Sequence, residues 1–204
     1  MPTGVHLHDA RQQLFDAAET VLVRDGPQAL TSRAVTDEAG CAKGVLHRHF
    51  SDFDAFLTEL VLDRATLLEA QARQLLVGVG TGTVSDNLTR ALVTFFAPVP
   101  VAIIPLITFR DELRARLRQA RPGGGIAILS QVTAAISTYL TDEREVGRLD
   151  SHADIDSLTL SLVGGGHLMF ADLGPTSPTP AAIEVFVTAT LAGVVTPSGS
   201  GVTP

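Results

Sequence analysis

A chain of 204 residues, 45% of them hydrophobic, can bury a sizeable core, and its net charge of −7 excludes a protein coated in positive charge. The single cysteine, Cys41, excludes an intrachain disulfide and fits a reducing, cytoplasmic setting. Residues 1–10 hold no positive side chain ahead of an apolar run, and Pro98, Pro100, Pro105 or Gly164 to Gly166 interrupt the longest apolar stretches, so neither a signal peptide nor a membrane span is expected.

Helical spacing recurs along the chain, and no useful length shows the period-2 alternation of a half-buried strand. Leu14, Ala17, Ala18, Val21 and Leu22 predict a first helix over about 8–24, ended by Gly26 and Pro27. Thr31 is a good N-cap for a short second helix through about Ala39, and Gly40 closes it. A third helix is expected over 43–49. Ser51 or Asp52 then caps a long fourth helix carrying Phe53, Phe56, Leu57, Leu60 and Val61 and running to about Val77.

The remainder is helical in the same way. Ser85 is the expected cap of the next helix, and the three prolines between Ala97 and Pro105 argue against one regular helix there. Arg110 to Arg121 reads as a solvated arginine-rich helical face, and Gly123 to Gly125 as a break. Helices are expected over 126–140, 150–173 and 181–195, and the Ser/Gly/Pro-rich end, 196–204, is expected to be disordered. The division expected is 1–51, 52–195 and that tail. The fold class is all-α.

The informative segment is Gly40 to Phe50. It contains the chain's only lysine, Lys43, together with Arg48, His47 and His49. Three short helices with a glycine at the second turn have the helix-turn-helix arrangement, in which one helix enters the major groove and another crosses the backbone. Lys43 suits a phosphate, and Gly44 permits close backbone approach. Thr31, Ser32 and Arg33 suit phosphate oxygens. Val45 suits a thymine methyl, while His47 and Arg48 suit base edges or phosphate. His49 reads equally as a packing residue or a phosphate contact, and Cys41 as a small packing residue. Residues 1–60 nonetheless carry five basic and nine acidic side chains, a net −4 that opposes non-specific DNA binding.

Leu14 to Ala18, Gly26, Leu30-Thr31, Glu38 to Gly40, Lys43-Gly44 and Arg48 to Phe50, in that order and spacing, resemble the N-terminal domain of TetR-type transcriptional regulators. The resemblance covers residues 8–60, about a quarter of the chain. It implies a helix-turn-helix DNA-binding domain followed by a helical effector-binding and dimerisation domain. It further implies a homodimeric repressor on a palindromic double-stranded operator, released by a small-molecule effector, with the fourth helix linking pocket to DNA head. Ala42 then joins the DNA-contacting set. The effector pocket is expected among Phe95, Phe96, Phe109, Leu113, Val132, Ile136, His167 and Phe170. The dimer interface is expected at Leu158, Leu162, Gly165, Met169, Ile183, Val187 and Leu191. His167 is either a hydrogen-bonded core histidine or a polar anchor in the pocket.

The chain departs from the family at Ala42, Val45, His47 and Phe53, where a small polar residue, another, a tyrosine and often a lysine are usual. Two rival readings follow. An enzyme has no support, because the chain shows no metal-ligand spacing, no phosphate-binding glycine loop and no nucleophile context; no cofactor, metal or membrane partner is expected. A helical dimeric interaction or ligand-sensing protein with weakened DNA binding is the alternative.

Overall fold

A computed structural model describes residues 7–121, 127–171 and 178–196. All regular structure among them is helical, in ten helices. They form two compact units, one from residues up to Arg64 with Pro98–Ile126, the other from Ala65–Ala97 with the residues from Ala127 on. The expected boundary at residue 52 therefore falls inside the first unit, and the first unit draws on a segment far along the chain.

In the first unit, α1 (Leu7–Asp25) buries Leu14, Phe15, Ala18, Val21 and Leu22 on the face its spacing predicts. Gly26, at φ +82, donates its N–H to Leu22 O at 3.1 Å and ends the helix in the left-handed conformation that favours glycine. The hydroxyl of Thr31 accepts from Ala34 N and starts α2 (Ser32–Glu38), as expected. Gly40, at φ +62, makes the turn into α3 (Gly44–His49). Of the two cap candidates before α4 (Phe53–Val77), Asp52 does the work: its Oδ1 accepts from Ala55 N at 2.7 Å. Phe15, Phe50 and Phe56 meet with ring centroids 5.0 to 6.0 Å apart and pin α1, α3 and α4 together.

The same unit contains α6 (Pro98–Thr108) and α7 (Asp111–Ala120). The proline-rich segment is thus a helix after all. Pro98 and Pro100 lie in its first turn, where N–H groups have no intrahelical acceptor, so only Pro105 removes a ladder bond. Burial of Val101, Ile103, Ile104, Leu106 and Ile107 offsets that loss. Nor is α7 merely a solvated face. Leu113 and Leu117 are buried, Arg110 donates to Leu30 O at 2.8 Å, and Arg116 pairs with Asp52 at 3.0 Å.

In the second unit, α5 (Val84–Phe95) is capped by Thr83, whose hydroxyl accepts from Asp86 N, and not by Ser85. It packs on α10 (Pro180–Thr190), and α8 (Ala127–Glu145) packs on α9 (Ile155–Ala171). A buried polar network holds this core. Asn87 Nδ2 lies 3.0 Å from Tyr139 Oη, and the fully buried Glu143 carboxylate faces Arg148 at 3.3 Å. Burial, with the Glu143 carboxylate next to it, holds the Tyr139 phenol well above its usual range. The last helix stops at Thr190, shorter than its apolar pattern. Past it, Val195 forms an isolated antiparallel bridge with Leu149, and Thr196 donates its N–H to Arg148 O at 3.1 Å. Thr196, where the tail was expected to begin, is therefore tied down. The rest of that tail and the Gly123 to Gly125 break lie outside the described residues, as do the last two positions of the helix expected over 150–173.

Candidate nucleic-acid interface

Two buried side chains set the orientation of α3. Leu46 is fully buried and Phe50 sits in the aromatic cluster, so the opposite side of this short helix faces out. Lys43, Gly44, His47 and Arg48 are exposed on that side, with Ala42 just before them. Val45 and His49, four residues apart on the inner flank, are half-buried, and the His49 ring lies 6.4 Å from Phe50. A half-buried ring is compatible with both readings of His49. Val45 reaches solvent less than Gly44 and more than Leu46.

At α2, the Thr31 hydroxyl spends its acceptor on the helix cap and keeps its own hydrogen for an outside oxygen. Ser32 is half-buried. The Arg33 side chain is 85% exposed and lies 3.5 Å from Asp37, an exposed i,i+4 pair that a phosphate can displace at little cost. The structure therefore brings nine exposed or half-exposed expected residues and the flanking Val45 onto two adjoining helices of one unit.

The charge around this surface differs from the count along the chain. The acids of the first sixty residues are largely engaged: Asp25 and Glu38 on Arg24, Glu59 on Arg11, Glu19 on Arg64 and Asp52 on Arg116. Residues 98–126 add five arginines against two acids, so the compact unit carries −1 where the first sixty residues carry −4. No acidic residue lies between Gly40 and Ser51, and neither Lys43 nor Arg48 is in an ion pair among the described residues. That local cationic surface was legible in the sequence. The contribution of the arginines in residues 98–126 was not, because they lie far beyond that surface in the chain.

The second unit places the other expected residues differently. A cavity of about 430 Å³ lies between the end of α4 and α5, and of the eight expected pocket residues only Phe95 lines it. Phe109 and Leu113 belong to the first unit, with Phe109 exposed and Leu113 fully buried. Val132 and Ile136 are core residues of α8. His167 and Phe170 instead pack against Phe96, with centroids 6.1 and 6.0 Å from its ring. The His167 side chain is half-buried, and its Nδ1 is buried with no hydrogen-bond partner among the described residues.

Of the seven expected interface residues, Leu162, Ile183, Val187 and Leu191 are buried inside the subunit and cannot meet a partner. Leu158 and Met169 are half-buried, and Gly165 is packed against Phe186. The outward apolar residues of α9 and α10 are others: Leu160, Leu168 and Val185, each at least 70% exposed. A helix apolar on two sides offers two candidate stripes, and the pattern alone does not say which one the core takes. Among the described residues no group of three His, Cys, Asp or Glu side chains is placed to hold a metal ion. No single helix among them is long and apolar enough to cross a membrane.

Residues 14–60 match the family model for bacterial regulatory proteins of the tetR family. Over most of its length the fold is similar to solved transcriptional regulators. One, of the TetR family from Agrobacterium tumefaciens, superposes with a TM-score of 0.72 at 14% identity, covering 93% of this chain and 99% of that one. FadR from Bacillus subtilis in complex with stearoyl-CoA gives 0.66 at 15%, covering 89% and 98%. Reduced E. coli NemR gives 0.66 at 15%, covering 94% and 100%. At such identities the likeness is one of fold. No curated protein matches the sequence.

Proposed function

We propose, for a chain that belongs to the tetR family of bacterial regulators through residues 14–60, that it is a cytoplasmic, ligand-responsive repressor acting as a homodimer on a palindromic operator. It is a helical transcription regulator with a DNA-binding helix-turn-helix domain, and regulators of this family are not enzymes. The observation that carries the reading is the outward face of α3, where Lys43, His47 and Arg48 stand free of acids on a helix anchored by Leu46 and Phe50. Residues 1–51 act as the reading head, with Thr31, Ser32, Arg33, Ala42, Gly44 and His49 supporting those three. Residues 52–195 sense and dimerise. The stearoyl-CoA in the similar FadR structure supports ligand sensing in this fold.

Self-association belongs to the outer stripe of α9 and α10, through Leu160, Leu168 and Val185. Gly164 lies between the two leucines in chain order and on the same side. A Cβ built there meets nothing within 4 Å among the described residues, so its small size serves no contact with them and suits close approach of a second copy.

The test is a fluorescence-anisotropy titration of duplexes from the protein's own upstream region, wild type against Lys43→Ala, at two salt concentrations. Tight wild-type binding to one palindromic segment is expected. Each lost phosphate contact should flatten the slope of log K against log salt by about 0.9, hence by about 1.8 for a dimer that loses two. Weak, sequence-blind binding unchanged by Lys43→Ala would overturn the repressor reading in favour of a helical interaction protein.

A further inference from the structure

Two helical faces line the cavity in the second unit. Gln71, Gln74, Leu75 and Gly78 follow i, i+3, i+4, i+7 along the end of α4 and just beyond it. Asn87, Arg90, Ala91, Thr94 and Phe95 follow the same spacing along α5. At about 430 Å³ the space suits a small organic ligand.

Its chemistry is one-sided. The lining holds one cation, three amides and one hydroxyl, with no carboxylate, in a unit whose residues sum to −6. Arg90 is also held in place. One arm of its guanidinium donates to Asn87 Oδ1. Asn87 is itself fixed, its Nδ2 lying 3.1 Å from Gly78 O, 2.9 Å from Thr81 O and 3.0 Å from Tyr139 Oη. A guanidinium has five donors, so four remain for a ligand, and a fork already oriented loses less freedom when an oxyanion docks. Leu75, Ala91 and Phe95, each almost fully buried, form an apolar floor of small area for the rest of such a molecule. A cationic ligand would meet Arg90 with no acid to balance it.

We propose that this cavity binds a ligand with an oxyanion head, carboxylate or phosphate, and a short apolar body, and that Arg90 receives the head. The inference rests on the ligand-responsive reading and names the ligand class for it.

The test uses the full chain and four probes with one tail: octanoate, octyl phosphate, octan-1-ol and octylamine. Binding is followed by titration calorimetry and by the fluorescence of Tyr139, the only tyrosine in a chain without tryptophan, which adjoins Asn87. At least one oxyanion should bind at least tenfold more tightly than the alcohol, and the amine should not bind. Arg90→Gln should cost the oxyanion at least tenfold and leave the alcohol unchanged, with Arg90→Lys between. Arg90 is exposed, and a thermal melt confirms that each variant folds. Equal affinity for alcohol and acids, no effect of Arg90→Gln, or no binding by any probe would overturn the proposal. Which oxyanion binds better identifies the head. Oxyanion binding that leaves the operator complex intact would support the site and count against the ligand-responsive reading of function.

Discussion

Asp52 shows how one side chain can serve two purposes. It caps α4 through Ala55 N and receives Arg116 from α7, 64 residues away. The Ala55 N–H, followed by the Arg116 guanidinium, holds its carboxyl below the usual carboxylate range. A depressed folded pKa contributes stability above the unfolded value of about 3.9, and that contribution is lost as pH falls through the folded value. Asparagine caps about as well as aspartate, so Asp52→Asn isolates the loss of charge toward Arg116. Its melting temperature should lie below wild type by a constant amount from pH 7 to about 5, and the gap should close below about 3.9. A gap independent of pH would show that the Arg116 pair contributes nothing. A cap at Ser51 or Asp52 could be read just ahead of the apolar run, but not which of the two serves. The Arg116 partner could not, since nothing local in either segment points to the other.

At the level of elements, α9 carries three consecutive glycines with different surroundings. Each costs about 1 kcal/mol of helix propensity relative to alanine, so a compensating reason is needed. Gly165 and Gly166 have one inside the subunit. A Cβ at Gly165 would overlap the Phe186 ring, and one at Gly166 would lie 2.8 Å from Phe96 Cε2 and 3.4 Å from Leu92 Cδ2. Gly165→Ala and Gly166→Ala should each destabilise by about 1 to 3 kcal/mol in urea denaturation, the overpacking cost exceeding the propensity gain. Either variant at or above wild-type stability would show that the aromatic rings yield freely. The triplet itself is plain in the sequence. Which glycine meets which neighbour depends on α5 and α10, whose register against α9 no local pattern specifies. The proline-rich α6 teaches a similar lesson, because what matters is where in the helix each proline falls.

For the whole molecule, the outer stripe of α9 and α10 gives a direct test of assembly. Leu168→Arg places a charge on a side chain that is 75% exposed in the subunit, so the fold should persist while a dimer dissociates. Light scattering after gel filtration should read a dimer for wild type and a monomer for the variant, with similar melting at low concentration. A dimer unchanged by Leu168→Arg would move the interface elsewhere. The same charge at Leu162, which is fully buried, should unfold the subunit instead.

Local sequence was enough for the helices of the head, the cap at Thr31, a cap at Ser51 or Asp52, the glycine turns at Gly26 and Gly40, and the cationic face of α3. Each of these is a local consequence of spacing, capping and backbone sterics over fewer than ten residues. Packing settled which side of α9 and α10 faces in, which arginines offset the acidic head, and where the second unit keeps a cavity. Those outcomes depend on how separate helices meet, from α4 and α5 around the cavity to Arg116 on Asp52, and a helix apolar on two faces leaves the choice to whatever packs against it.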